Sequence, residues 1–114
     1  MHNFEIKFME DARQFLLSLD KRHSEKIIYN IRKVQNQQDS GLLKKLKGDI
    51  WELRTLYGGI QYRLLAFWDK TDSDNTLVIS THGFIKKQSK VPDKELEKAK
   101  QLRLDYFDDN SKNK

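Results

Sequence analysis

The chain has 114 residues, enough for one domain with a modest core and no more. It has no cysteine, which excludes disulfides and thiolate metal sites, and no apolar run approaches the roughly 20 residues of a membrane span. Its formal charge of +5 favours an anionic partner such as nucleic acid, an anionic membrane or an acidic protein, without choosing among them.

The opening Met-His-Asn-Phe-Glu has no charged segment leading into an apolar core. No secretory signal is expected there, and a cytoplasmic setting is the default. Phe4, Ile6 and Phe8 alternate with Asn3, Glu5 and Lys7, which predicts a half-buried strand at a sheet edge. Glu10 and Asp11 suit the first turn of a helix whose inner face is Ala12, Phe15, Leu16 and Leu19. Asp20 to Ser24 holds two N-cap candidates, and a second helix follows through Ile27, Ile28, Ile31 and Val34. Asp39-Ser40-Gly41 stops it. Two helices so briefly connected are expected to pack as an antiparallel hairpin. Leu42, Leu43 and Leu46 mix irregularly with Lys44, Lys45 and Lys47, a stretch to which the pattern assigns no element.

Gly48-Asp49 turns the chain into its most informative stretch, Ile50 to Trp68. Two strands meet there at Tyr57-Gly58-Gly59. In the first, Trp51, Leu53 and Thr55 share one face and Ile50, Glu52 and Arg54 the other. The second is apolar on both faces, with Tyr62, Leu64 and Ala66 on one and Leu65 and Phe67 on the other, as in a central strand. Arg63 interrupts it. A guanidinium there calls for a carboxylate partner, a wet concave face or an anionic ligand.

A further strand runs from Leu77 through His82 to Phe84, followed by the basic Ile85-Lys86-Lys87-Gln88-Ser89-Lys90. Pro92 suits a first helical position, and Leu96, Ala99, Leu102 and Tyr106 mark the inner face of a last helix. The order is strand, helix, helix, three strands, helix. That predicts a single α+β domain over residues 1–107 with a frayed polar tail, 108–114. The helices are expected on one face of a twisted, mostly antiparallel sheet.

Several residues here also form an ordered set. Lys45-Leu46-Lys47-Gly48 precedes Trp51-Glu52-Leu53-Arg54, Tyr62-Arg63 opens a strand, and His82-Gly83-Phe84-Ile85-Lys86-Lys87 precedes a Pro-led helix. Over roughly Phe4 to Tyr106 this resembles the RelE/ParE superfamily of type II toxins, in its HigB-like, phage-derived branch. The resemblance implies a RelE-like fold, with a small sheet, an N-terminal helix pair and a C-terminal helix. It implies a toxin that enters the ribosomal A site and cuts mRNA without a cofactor or metal. The substrate's 2′-hydroxyl attacks the adjacent phosphate, leaving a 2′,3′-cyclic phosphate and a 5′-hydroxyl. The implied partner is a HigA-like helix-turn-helix antitoxin, through which alone the pair would contact operator DNA. That partner is expected on the two N-terminal helices or across the basic face.

Such a cleavage needs a base for the 2′-hydroxyl, cations for the phosphorane and an acid for the leaving oxygen. Arg54, Arg63 and Lys86 match the basic catalytic positions of the RelE pattern, and Lys87 adjoins them. The RelE tyrosine at the start of the last helix is Pro92 here, so proton transfer falls to His82, Tyr57, Tyr62 or Glu52. His82 has the intrinsic pKa best suited to exchange near neutrality. Lys44, Lys45, Lys47 and Lys90 would steer RNA, and Tyr57 and Tyr62 would contact it. Each choice has a plainer alternative: Arg54 paired with Glu52 or Asp49, the lysines solvated, His82 structural, Trp51 and Trp68 in the core. Two other functions share the fold class, a ParE-like inhibitor of DNA gyrase and a non-catalytic module that binds RNA or the antitoxin.

Overall fold

A computed structural model describes residues 4–36, 40–71 and 77–112. The elements are β1 (Glu5–Phe8), α1 (Glu10–Ser18), α2 (Lys21–Gln35), a 3-10 turn (Ser40–Leu42), β2 (Leu43–Lys47), β3 (Ile50–Tyr57), β4 (Ile60–Asp69), β5 (Leu77–Ile85) and α3 (Asp93–Lys112). The α+β expectation holds. The strands form one mixed sheet in the order β1-β5-β4-β3-β2. β1 is an edge strand, as its alternation predicts, and runs parallel to β5; the other pairings are antiparallel.

Local chemistry sets the element ends. Asp20 caps α2 by accepting from the Arg22 backbone N–H at 2.9 Å, and Arg32 and Lys33 occupy its last turn, where cations suit the dipole. Gly58 and Gly59 both have positive φ, 57° and 76°, as a tight two-residue hairpin turn demands. Their flanks, Tyr57 and Ile60, pair directly, and this fixes the β3–β4 register. Pro92 sits one residue before α3, and its carbonyl accepts from Glu95 and Leu96. The helix runs on to Lys112, beyond the apolar pattern that ends at Tyr106 and into the polar segment 108–114.

Two features depart from the sequence reading. The first is the fifth strand, β2. A register shift between Lys45 and Lys47 breaks its alternation, so Leu43 and Leu46 do not recur at the spacing of a strand. The second is helix placement. α1 and α2 cover one face, where Ile27, Ile31 and Val34 pack with Leu53, Tyr62 and Leu64. α3 covers the other, where Leu96 and Ala99 meet Ile50, Leu65, Phe67 and Ile79. The cause is β4, whose side chains are apolar on both sides, so that one layer of helices leaves half of them wet.

α1 comes very close to the sheet. A Cβ built on Gly83 would clash with the edge of the Phe15 ring, 2.7 Å from Cε2, and with Leu64 Cδ2 at 2.8 Å. Among the described residues no helix is long and apolar enough to cross a membrane.

Candidate functional site

β3 and β4 bring Arg54 and Arg63 directly opposite each other on the face that α3 only partly covers. Like charges in that relation repel. Glu52, two residues before Arg54 and so on the same face, resolves the conflict. Its Oε1 accepts from Arg54 Nε and pairs with Arg54 Nη2, both at 2.7 Å, and its Oε2 lies 3.5 Å from Arg63 Nε. Neither Glu52 Oε2 nor Arg63 Nε has a hydrogen-bond partner among the described residues, so their link is an ion pair with no good hydrogen bond.

The two guanidiniums differ in exposure. Arg54 is 44% exposed and Arg63 only 7%, above a carboxylate that is 3% exposed. Arg63 donates from Nη1 to the Tyr62 carbonyl and from Nη2 to Gln61 Oε1, both at 3.0 Å. Burial pulls its guanidinium below the ordinary arginine range, the Glu52 charge opposes that fall and Arg54 adds to it. It remains a cation, and two cations against one carboxylate leave a net positive charge on this face.

Lys86 follows at the end of the neighbouring strand. Its backbone N–H donates to the Gln61 carbonyl at 2.8 Å, which carries the ladder one residue past β5, while its Nζ donates to the Ser89 carbonyl at 3.1 Å. Lys44 pairs with Glu52 and Lys47 with Ile50, so both lie at register positions of the arginine face; Lys45 pairs with Trp51 and belongs to the other. Lys87 and Lys90 are exposed in the loop before α3.

Three candidates lie apart from the arginines. Tyr62 pairs with Thr55, on the α1–α2 side of the sheet, and is buried there with its hydroxyl 2.7 Å from His23 Nδ1. Tyr57 is on that side too, edge-on to the His23 ring at 4.9 Å. His23 has no periodic or motif signal in the sequence and was not a candidate. His82 shares the arginine side but lies beneath the first turn of α3. It is 3% exposed, with Nε2 3.0 Å from Glu95 Oε1 and Nδ1 3.1 Å from Thr81 Oγ1. Burial lowers its pKa below the usual histidine range, against the Glu95 hydrogen bond, and the ring is therefore neutral at pH 7. Both ring nitrogens are engaged inside the protein, Nε2 with Glu95 and Nδ1 with Thr81, so neither is open to a substrate hydroxyl. Among the described residues no three His, Cys, Asp or Glu side chains gather as a metal site would require.

The fold and this cationic face can be set beside known proteins. A family model described as Phage derived protein Gp49-like (DUF891) matches residues 14–104, well over half of the chain. The chain belongs to this Gp49-like family. The family is toxin-like and related to RelE/ParE, which agrees with the coarse part of the resemblance in the sequence. No curated protein and no solved structure matches the chain. The matched span of the Gp49-like domain runs from α1 into α3 and takes in the whole Arg54–Glu52–Arg63 group.

The Gp49-like domain has a second surface of note. Between α1 and α2 lies a groove of about 610 Å³, floored by Leu16, Leu19 and Ile28 and edged by Leu17 and Tyr29, which are 66% and 55% exposed. Lys21 and Arg32 line it, and the Lys26 and Lys33 ammoniums lie 4.8 and 5.6 Å from the Tyr29 ring centre. Glu25 is the one acidic residue of its lining.

Proposed function

We propose that this chain is the toxin of a type II toxin–antitoxin pair, a metal-independent endoribonuclease that cuts mRNA in the ribosomal A site. It would act in the cytoplasm, where ribosomes are. The toxin role rests on family membership. The nuclease role rests on one arrangement, Arg54 and Arg63 opposed across a hairpin with a single carboxylate between them and Lys86 opposite Gln61, two register pairs along.

Arg54 is the exposed member, half in solvent and held by one carboxylate oxygen. On meeting the scissile phosphate it exchanges Glu52 for two phosphate oxygens, a bidentate contact that its fork geometry favours. Arg63 stays behind it and holds the potential positive; Lys86 adds a third cation. Of the four proton-transfer candidates, Glu52 alone shares the arginine face and has an oxygen without a hydrogen bond. Freed by Arg54, it takes the 2′-hydroxyl proton. The 2′-oxygen attacks phosphorus, the bond to the 5′-oxygen breaks, and that oxygen takes a proton from water. The products are a 2′,3′-cyclic phosphate and a 5′-hydroxyl.

The proposed partner is a HigA-like helix-turn-helix antitoxin. Its acidic amphipathic helix would fill the α1–α2 groove, whose apolar floor and mostly basic edge are complementary to such a segment.

Inducing the chain in cells and mapping mRNA 5′ ends tests the nuclease reading. Cuts inside translated codons are expected, reduced about 10²–10³-fold by Arg54→Ala, whose exposed side chain can be removed without opening the core. Arrested growth with intact transcripts would overturn it. One observation favours a binding-only module instead: His82 is locked and both tyrosines face away, so proton transfer rests on a buried carboxylate. Tight RNA binding with no cyclic-phosphate product would select that reading.

A further inference from the structure

Both tryptophans of the chain line one cavity, away from the arginine pair. It lies at the end of the sheet, where the β2–β3 turn, the exit of β4 and the later turns of α3 meet. Its volume is about 450 Å³, within the range of roughly 300–1,000 Å³ usual for small-molecule sites. Trp51 and Trp68 form one wall, edge to face at 6.1 Å, each partly buried and partly open. Phe107 forms another. Lys45, Lys70 and Arg103 supply three cations, and Asp49 is the one carboxylate in the lining.

Arg103 is the telling residue. Its guanidinium lies 5.1 Å from the Phe107 ring centre and 6.0 Å from that of Phe67. Nη2 makes only a long contact, 3.5 Å, to a largely exposed Asp49. Nε is buried and donates to nothing among the described residues. The side chain as a whole is 31% exposed, so the reachable end of the fork is Nη2, and an oxyanion in the cavity would give it a better acceptor than the distant Asp49.

We propose that this cavity binds a nucleotide, its base against the indoles and its phosphate on Arg103, Lys70 and Lys45. Aromatic faces beside a cationic rim suit this ligand, because any base offers a stacking face and any phosphate accepts several charge-assisted hydrogen bonds. The same chemistry fits a free nucleotide and a residue of single-stranded RNA. Trp68 stands five residues along β4 from Arg63, an odd step that turns it to the opposite face of the sheet, so this cavity is separate from the arginine pair. The inference does not depend on cleavage.

Because the sequence has no other tryptophan, all indole fluorescence comes from this cavity. Titrating the full chain with adenosine monophosphate and with a short single-stranded oligoadenylate should give saturable quenching, while inorganic phosphate alone should not. Arg103→Ala and Lys70→Ala should each weaken binding about tenfold or more, the worth of a charge-assisted contact to phosphate. Lys70 is exposed, so its variant stays folded even if Arg103→Ala does not. Oligonucleotide binding much tighter than the mononucleotide assigns the site to RNA, and equal binding assigns it to a free nucleotide. No saturable quenching, or quenching that ignores both substitutions, would overturn the proposal. Since the readout needs no turnover, that failure would leave the arginine site untouched.

Discussion

Glu52→Gln separates the two things that Glu52 does. The substitution keeps the size of the side chain and removes the charge between Arg54 and Arg63. At 3.5 Å, the Arg63–Glu52 attraction is about 5 kcal/mol for an effective dielectric of about 20. The Arg54 partner is 44% exposed, and solvent reduces its share to about 1 kcal/mol or less. The glutamine carbonyl still accepts a hydrogen bond, which recovers part of the loss. The expected cost is therefore about 3 kcal/mol, near the low end for breaking one side of a buried pair. With an m-value of about 2 kcal/mol/M, the urea midpoint should fall by about 1.5 M. Inorganic phosphate should then raise the midpoint of the variant more than that of the parent, because an anion can take the place of the lost carboxylate. The double variant Glu52→Leu with Arg63→Met should regain most of the stability and none of the cleavage, since well-packed apolar groups replace buried ion pairs at little cost. A Glu52→Gln stability within about 0.5 kcal/mol of the parent, with no response to phosphate, would refute the reasoning.

Gly83→Ala drives a methyl into the Phe15 ring and should cost about 1–3 kcal/mol in urea unfolding; Phe15→Leu in the same chain should recover part of it. Because burial lowers the His82 pKa, the unfolded chain binds its proton first as pH falls. Stability should thus decline below about pH 6.5, with a slope of at most about 1.4 kcal/mol per pH unit. The groups facing that ring are Glu95, Lys98 and Asp11, and His82→Gln should flatten this part of the urea-midpoint profile. Leu17→Glu places a like charge against an acidic helix in the α1–α2 groove; it should weaken antitoxin binding about tenfold or more by calorimetry while leaving mRNA cleavage at the parent rate.

The hairpin was legible because two independent signals agree there: side chains alternate through Ile50–Trp68, and Gly58-Gly59 fixes the turn. Parity alone puts Arg54, Glu52 and Arg63 on one face, and the same parity puts Tyr62 on the other. β5 defeats parity. Strict alternation would put Val78, Ser80, His82 and Phe84 together. The register shift at Thr81, where the Ser80 and Thr81 hydroxyls both donate to the Leu65 carbonyl, instead turns His82 and Phe84 towards α3. No local pattern announces such an extra residue. The shift in β2 hid that strand for the same reason. His23 escaped notice because a lone histidine early in a helix shows its partner only after the chain has folded.

The parallel pairing of β1 with β5 sets a timetable for synthesis. Glu5 meets Leu77 and Phe8 meets Ser80, so the first strand must wait for the fifth to emerge from the exit tunnel before its edge is paired. Until then α1 has no Gly83 to seat Phe15, and the apolar side of β4 has no α3. The β3–β4 hairpin with its arginine pair can close much earlier, since its contacts are local. The local pairing around the arginines can thus form before the parallel edge that completes the sheet, which leaves an interval during synthesis in which the incomplete sheet edge is open.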